Sequence, residues 1–207
     1  MSNLKVLFLN ASLKDSNEVS NTEALFEQAR KIYENEGVVT ESIRLAEYHI
    51  PYGISGDMGD GDEWPMILEK VKQANIVIIG TPLWLGEKSS LATLAIERLY
   101  GSSGETNQKG QAIYYNKVGG VIVTGNEDGA KHASASILYG LSHIGFVIPP
   151  NVDTYWVGEA GPGPSYIDAN GKNNDFSQEH IEMLSYNTMY FARLLKEHSI
   201  PAIGNTL

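Results

Sequence analysis

The chain has 207 residues, 42% hydrophobic and 19% charged, which fits one packed globular domain over residues 1–207 and excludes a disordered or fibrous protein. A formal net charge of -10 sets its field against nucleic acid phosphates and anionic lipid, so neither is expected as a partner. The absence of cysteine excludes disulfides, thiolate zinc sites and cysteine-held iron–sulfur clusters, and leaves any electron chemistry to a bound cofactor.

Residues 1–4 show no basic segment leading into a long apolar run, so no secretory signal is expected. No apolar stretch approaches a membrane span, and a cytoplasmic location is the simplest expectation. Asn10-Ala11-Ser12 matches a glycosylation triplet and, without secretion, is read as a chance match.

Residues 5–9 (KVLFL) are a nearly continuous apolar run, as in a strand covered on both faces. A helix follows from Asn21, with Leu25, Ala29, Ile32 and Tyr33 on one stripe, Ser20 as its N-cap and Gly37 as its stop. Residues 38–45 alternate as a second strand, and the Gly- and Asp-rich stretch 53–62 reads as a loop. Pro65 opens a helix to about residue 73, and residues 75–80 (NIVIIG) form the third strand. Residues 89–99 carry a helical stripe, whereas 101–116 show turn chemistry. Residues 118–124 (VGGVIVT) are the fourth strand, and 130–143 a helix of small and apolar residues. Residues 145–148 read as a short fifth strand closed by Pro149-Pro150.

Strand and helix alternate throughout, which predicts an α/β fold: a doubly wound, five-stranded parallel sheet in the order 2-1-3-4-5 with helices on both faces. The core spans residues 4–150. Residues 151–176 form a loop excursion with Asn170-Gly171 as a hairpin turn, and a final helix covers 177–198.

In such a sheet, ligands bind beyond the carboxyl ends of the strands, at the switch between the first and third. The loop after the first strand, with Ser12 and Lys14, leads to Ser20-Asn21-Thr22 at a helix start, where hydroxyls, an amide and free N–H groups suit a phosphate. Helix capping alone explains that segment equally well. After the third strand come Pro82, Leu83, Trp84, Leu85 and Gly86, a shaped loop whose N–H groups and indole face suit a flat ring; an isolated Trp is also often a core or interface residue. Gly125, Asn126, Glu127, Asp128 and Gly129 make a third turn before a helix.

These loops resemble those of the flavodoxin-like NAD(P)H-dependent FMN reductases and quinone reductases. Ser12, Lys14 and Ser20-Asn21-Thr22 look like that family's phosphate loop, widened, with Lys14 where an Arg is common. Residues 81–86, continuing through Ser89-Ser90-Leu91, look like its second flavin loop of form P-x-Y/W-x-G-x-x-S, and 125–129 fall where the third is expected. The resemblance covers roughly residues 4–150. It implies bound FMN, NAD(P)H as electron donor, a quinone-like or other small-molecule acceptor, and a homodimer or homotetramer with flavin near an interface. The alternatives are a flavodoxin-type electron carrier and a non-redox binding module that has lost the flavin. The iron–sulfur subclass is excluded by the lack of cysteine. The segment from Tyr155-Trp156 to Tyr166 has no counterpart in the family's core motifs; its position after the fifth strand suits a lid or a partner contact.

Other signals are weak. Asp57, Asp60, Asp62 and Glu63 lack EF-hand spacing and read as a solvated acidic loop. His132 reads as a surface residue and His143 as packed or capping. No serine sits at a G-x-S-x-G elbow, and no metal site or general acid or base is assigned.

Overall fold

A computed structural model describes residues 4–207. Its strands are β1 (Lys5–Asn10), β2 (Val39–Arg44), β3 (Ile76–Trp84), β4 (Glu87–Lys88), β5 (Val118–Gly125) and β6 (Asp153–Val157). Its helices are α1 (Asn21–Asn35), α2 (Trp64–Gln73), α3 (Ser90–Gly101), α4 (Ala130–His143) and α5 (Asp175–Glu197). Five strands run parallel in the order β2-β1-β3-β5-β6, and β4 only folds back antiparallel on the end of β3. Discounting that two-residue strand, this is the doubly wound order expected from the alternation of elements.

Period-two alternation in the central strands feeds two apolar layers. Leu7, Leu9, Val77 and Ile79 point to one face, where they pack with Trp64 and Ile67 of α2, Leu99 of α3 and Ile137 of α4. Val6, Phe8, Ile76 and Ile78 point to the other, against Leu25 and Phe26 of α1 and Leu184 of α5. Burial on both faces is why these strands read as unbroken apolar runs.

The fifth parallel strand corrects the sequence reading. Residues 145–148 contribute only a bridge between Val147 and Val118, and the ladder on β5 resumes at Asp153 opposite Val121. Pro149 and Pro150 have no N–H to offer, so the edge strand leaves the sheet between its two pieces. The longer piece therefore falls inside the stretch expected to be loop. Asn170-Gly171 is likewise no hairpin: Asn170 adopts φ 54° and leads into a 3₁₀ turn, Gly171–Asn173. Strand β3 also continues past Gly80 to Trp84, so the second candidate loop is a strand end plus a tight turn.

The acidic stretch is not simply solvated. The side chains of Asp62 and Arg98 have no solvent exposure and form an ion pair at 2.5 Å. Arg98 also donates to the Ser55 carbonyl through Nε and the Pro51 carbonyl through Nη1, each at 2.9 Å, and lies over the Trp64 ring. Asp62 in turn accepts from the Met58 and Trp64 N–H groups. One guanidinium thus ties the loop after β2 to α3.

Candidate flavin-binding site

The carboxyl ends of β1, β3 and β5 meet at one edge of the sheet and surround a cavity of about 490 Å³. Asn10, buried at the end of β1, organises the first wall. Its Nδ2 donates to Glu23 Oε2 at 2.7 Å and to Ser20 Oγ at 3.3 Å, and its Oδ1 accepts the Ser12 N–H at 2.9 Å. Loop and helix start are thereby held together.

Ser20 caps α1 by accepting the Glu23 N–H, and the Ala24 N–H goes to the Ser20 carbonyl. The N–H groups of Asn21 and Thr22, in the same first turn, have no intrahelical acceptor and lie at the positive end of the helix. Both residues line the cavity, as do Ser12, Leu13 and Lys14. The Thr22 hydroxyl is 2.9 Å from that of Thr124 at the end of β5. Gly80 makes this closeness possible, since a Cβ there would sit 2.7 Å from Thr22 Cγ2 and closer still to the Phe26 ring.

The second wall is apolar. Pro82, Leu83 and Trp84 line the cavity, and Trp84 keeps 54% of its surface exposed. Beyond them the chain reverses through Leu85 and Gly86, both at positive φ (53° and 77°), the dihedral signs of a type I′ hairpin turn. Leu85 is 92% exposed and does not line the cavity, while its N–H donates to Glu127 Oε1 at 2.7 Å. Gly86 packs under Gly129, where a Cβ would meet the Gly86 oxygen at 2.4 Å. A β-branchless but bulky Leu is strained in the left-handed region, where Asn or Gly is preferred. Leu85→Asn is therefore expected to raise stability by about 1 kcal/mol in a chemical denaturation curve; a loss of stability would show that the side chain has a packing partner.

The third turn brings Gly125, Asn126 and Glu127 to the cavity. Asn126 Nδ2 donates to the Pro164 carbonyl at 2.8 Å and to that of Gly163 at 3.2 Å, and its own carbonyl accepts the Gly161 N–H. Asn21 Oδ1 holds the other end of this segment through the Ile167 N–H at 2.9 Å. The excursion after β6 is thus pinned beside the cavity, and Gly161, Gly163, Ser165 and Tyr166 complete the cavity's lining. Burial pushes the Tyr166 phenol up to about 12, so it stays protonated at neutral pH.

Ten of the fifteen residues singled out from the sequence line this cavity: Ser12, Lys14, Asn21, Thr22, Pro82, Leu83, Trp84, Gly125, Asn126 and Glu127. Ser20, Leu85, Gly86, Asp128 and Gly129 do not; Ser20 is a cap, and the two glycines shape adjoining turns. Leu13, Thr124, Gly161, Gly163, Ser165 and Tyr166 also line the cavity; none was singled out individually, although the segment ending at Tyr166 was expected to suit a lid or a partner contact. Thr124 was detectable as the last residue before the Gly125 turn, whereas the excursion, placed near the site by its position after the last strand, carries no periodicity that would single out its individual residues. His132 is exposed and lies outside the cavity, 2.6 Å from Glu87 Oε1, and its hydrogen bond holds the Glu87 carboxyl below the usual range. His143 is also exposed and stacks between the rings of Tyr100 and Tyr139.

FMN fits these walls on three grounds. The volume lies in the range of cofactor pockets, the free N–H groups of α1 suit a dianion, and the Pro82 to Trp84 wall suits a flat apolar ring. Among the described residues, no group of three or more His, Cys, Asp and Glu side chains forms a metal site, and no helix is long and apolar enough to cross a membrane.

Similarity to known proteins identifies the family. The chain is 42% identical over 199 residues, 93% of its length, to a divalent metal cation transporter of Mycobacterium bovis, of which it spans only 29%. It is 36% identical to the 8-demethyl-8-aminoriboflavin-5'-phosphate synthase of Streptomyces davaonensis, over 94% of this chain and 79% of that one. The crystal structure of RosB with bound 8-demethyl-8-formylriboflavin-5'-phosphate superposes with a TM-score of 0.88 at 36% identity, over 94% of this chain and 81% of that one. The family model of the NADPH-dependent FMN reductases matches residues 4–160. The chain belongs to the NADPH-dependent FMN reductase family of flavin-dependent, FMN-binding enzymes.

Proposed function

We propose that the protein holds one FMN in the cavity at the sheet edge and passes electrons from NAD(P)H to a quinone-like or other small acceptor. The observation that carries this reading is the meeting of the free α1 N–H groups, the Thr22 and Thr124 hydroxyls and the Pro82 to Trp84 wall around one cavity.

Ser12, Asn21 and Thr22 hold the phosphate end, with Lys14 adding positive charge beside it. Thr124 orients the Thr22 hydroxyl. Pro82, Leu83 and Trp84 support the ring, and Gly125 to Glu127 border its polar edge. The segment held by Asn126 and Asn21 limits the access of water from above. Bound FMN supplies reversible two-electron chemistry, for which the protein provides position, electrostatics and access. The half-exposed Trp84 leaves the side from which a nicotinamide and then an acceptor would approach.

Purified protein is expected to be yellow with about one FMN per chain, to be bleached by NADH or NADPH without oxygen, and to regain colour with a quinone. A colourless protein that takes up no added FMN overturns the reading. Bleaching by dithionite with a slow nicotinamide reaction would identify an electron carrier instead.

A second reading follows from the likeness to a synthase named for a modified flavin phosphate: the flavin itself is the molecule transformed. Mass spectrometry of the extracted flavin separates the two. An unchanged FMN mass after many turnovers supports the reductase, and a changed ring mass supports the synthase.

A further inference from the structure

Among the described residues, Tyr166 alone is common to the linings of two cavities. One is the cavity at the sheet edge. The other, of about 310 Å³, lies between α1 and residues 167–172 and is walled by Ala24, Gln28, Ile167 and Lys172. The phenol ring is firmly held between them. It packs edge-on against Trp156, with ring centres 5.5 Å apart, and lies against Gly171, where a Cβ would come within 2.3 Å of Tyr166 Cδ2. The Gly171 N–H donates to the Tyr166 carbonyl at 2.7 Å, and the N–H of the following residue, Ile167, donates to Asn21 Oδ1 at 2.9 Å. Asn21 is the first residue of α1, so Tyr166 is tied to the helix start whose N–H groups have no intrahelical acceptor.

This packing requires only a ring. Phenylalanine would fill the same space, yet the residue carries a hydroxyl that is cut off from solvent and has no hydrogen-bond partner among the described residues. A buried donor left without an acceptor costs stability, and native structures keep few of them. Tyr166 stays protonated at neutral pH, so the hydroxyl has a proton to give. The acceptor that best rewards a neutral donor is a charged oxygen. Of the two cavities, the one at the sheet edge includes Asn21 and Thr22 at the positive end of α1, where such an oxygen is favoured.

We propose that Tyr166 selects the flavin monophosphate: its hydroxyl donates to the phosphate of FMN in the sheet-edge cavity, and its ring closes that cavity off from the second one. The proposal rests on the reading of the sheet-edge cavity as the FMN site. Riboflavin lacks the acceptor that Tyr166 serves. FAD carries a nucleotide beyond the same phosphate, and the ring stands between that nucleotide and the second cavity, whose volume is in the range of small-ligand pockets.

Fluorescence titrations of the flavin-free protein with FMN, riboflavin and FAD test both halves of the proposal. Tyr166→Phe keeps the ring and loses the donor, so FMN is expected to bind about 10-fold or more weakly while riboflavin is unchanged. Tyr166→Ala also removes the partition, and the affinity for FAD relative to FMN is expected to rise by about 10-fold or more. Tyr166→Leu, a smaller loss of packing, should move that ratio in the same direction, and Gln28→Trp added to either variant should cancel the gain by filling the second cavity. Far-ultraviolet circular dichroism checks that each variant is folded. A Tyr166→Phe variant that leaves FMN unchanged, or weakens FMN and riboflavin alike, overturns the proposal, as does an FAD to FMN ratio unmoved in both truncations. A wild type that binds no flavin overturns the reading of the cavity itself, whereas one that binds FMN regardless of residue 166 overturns only the role of Tyr166.

Discussion

Arg98→Met is expected to lower the free energy of unfolding by about 3–5 kcal/mol, because it strands a carboxylate that no water reaches. In a chain of this length that is a fall of roughly 10 °C in melting temperature. Three acceptors lose their donor at once: the Asp62 carboxylate and the carbonyls of Ser55 and Pro51. Arg98→Lys should recover only part of the loss, since one ammonium cannot reach three acceptors arranged for a planar fork. Arg98→Met combined with Asp62→Leu should cost less than the two single changes added together, because no unpaired charge is then buried. The effect should depend on pH. Burial opposes ionisation of Asp62, yet the hydrogen bonds from Arg98 and from the Met58 and Trp64 N–H groups outweigh it and hold the carboxyl below the usual range. For a lowered carboxylate the stabilisation is complete above the unfolded value, near 4, and is lost as pH falls through the folded one. The gap between wild type and Arg98→Met should therefore be full at neutral pH and narrow below about pH 4. Urea titrations at several pH values measure it; a loss under 1 kcal/mol at pH 7 would mean that the loop after β2 relaxes around an empty site.

The same ion pair shows where the sequence stops being legible. Asp62 sits among Asp57, Asp60 and Glu63 in a run that reads as solvated, and its partner lies 36 positions away on a helix that was read only for its apolar stripe. A long-range pairing leaves no local periodicity. The central strands are the opposite case: Val6 to Leu9 and Ile76 to Ile79 are apolar because both sheet faces are covered, a constraint written into consecutive residues. The edge of the sheet was harder, because Pro149-Pro150 splits the last strand and moves its main part into Asp153–Val157. At the cavity, residues next to strand ends were readable from topology, whereas Gly161 to Tyr166 arrive through tertiary contacts, held by single amides of Asn126 and Asn21. Ser20 illustrates a different ambiguity. Its hydroxyl suits a cap or a phosphate contact equally in sequence, and the structure gives it to the Glu23 N–H.

Separating capping from phosphate recognition gives the largest expected effect on ligand binding. If Ser12 and Thr22 donate to the FMN phosphate, each bond to that charged acceptor contributes about 1.5–3 kcal/mol, so Ser12→Ala or Thr22→Val should weaken FMN by roughly 10-fold or more. The hydroxyls of Thr22 and Thr124 form a pair in which one donates to the other, leaving one proton free for a ligand. Thr124→Val should therefore weaken FMN as well, but less, since it acts through Thr22. Riboflavin shares the ring and lacks the phosphate, and its affinity should be nearly indifferent to all three changes. Trp84→Ala removes part of the ring's wall and should weaken both ligands alike. Ser20→Ala is the control for capping: it should lower the stability of the flavin-free protein by about 1 kcal/mol and shift both affinities equally. Fluorescence quenching titrations of FMN and riboflavin against each variant, with thermal melts of the flavin-free forms, make the comparison. Equal weakening of the two ligands by Ser12→Ala and Thr22→Val would remove the phosphate from the start of α1, even in a protein that binds flavin.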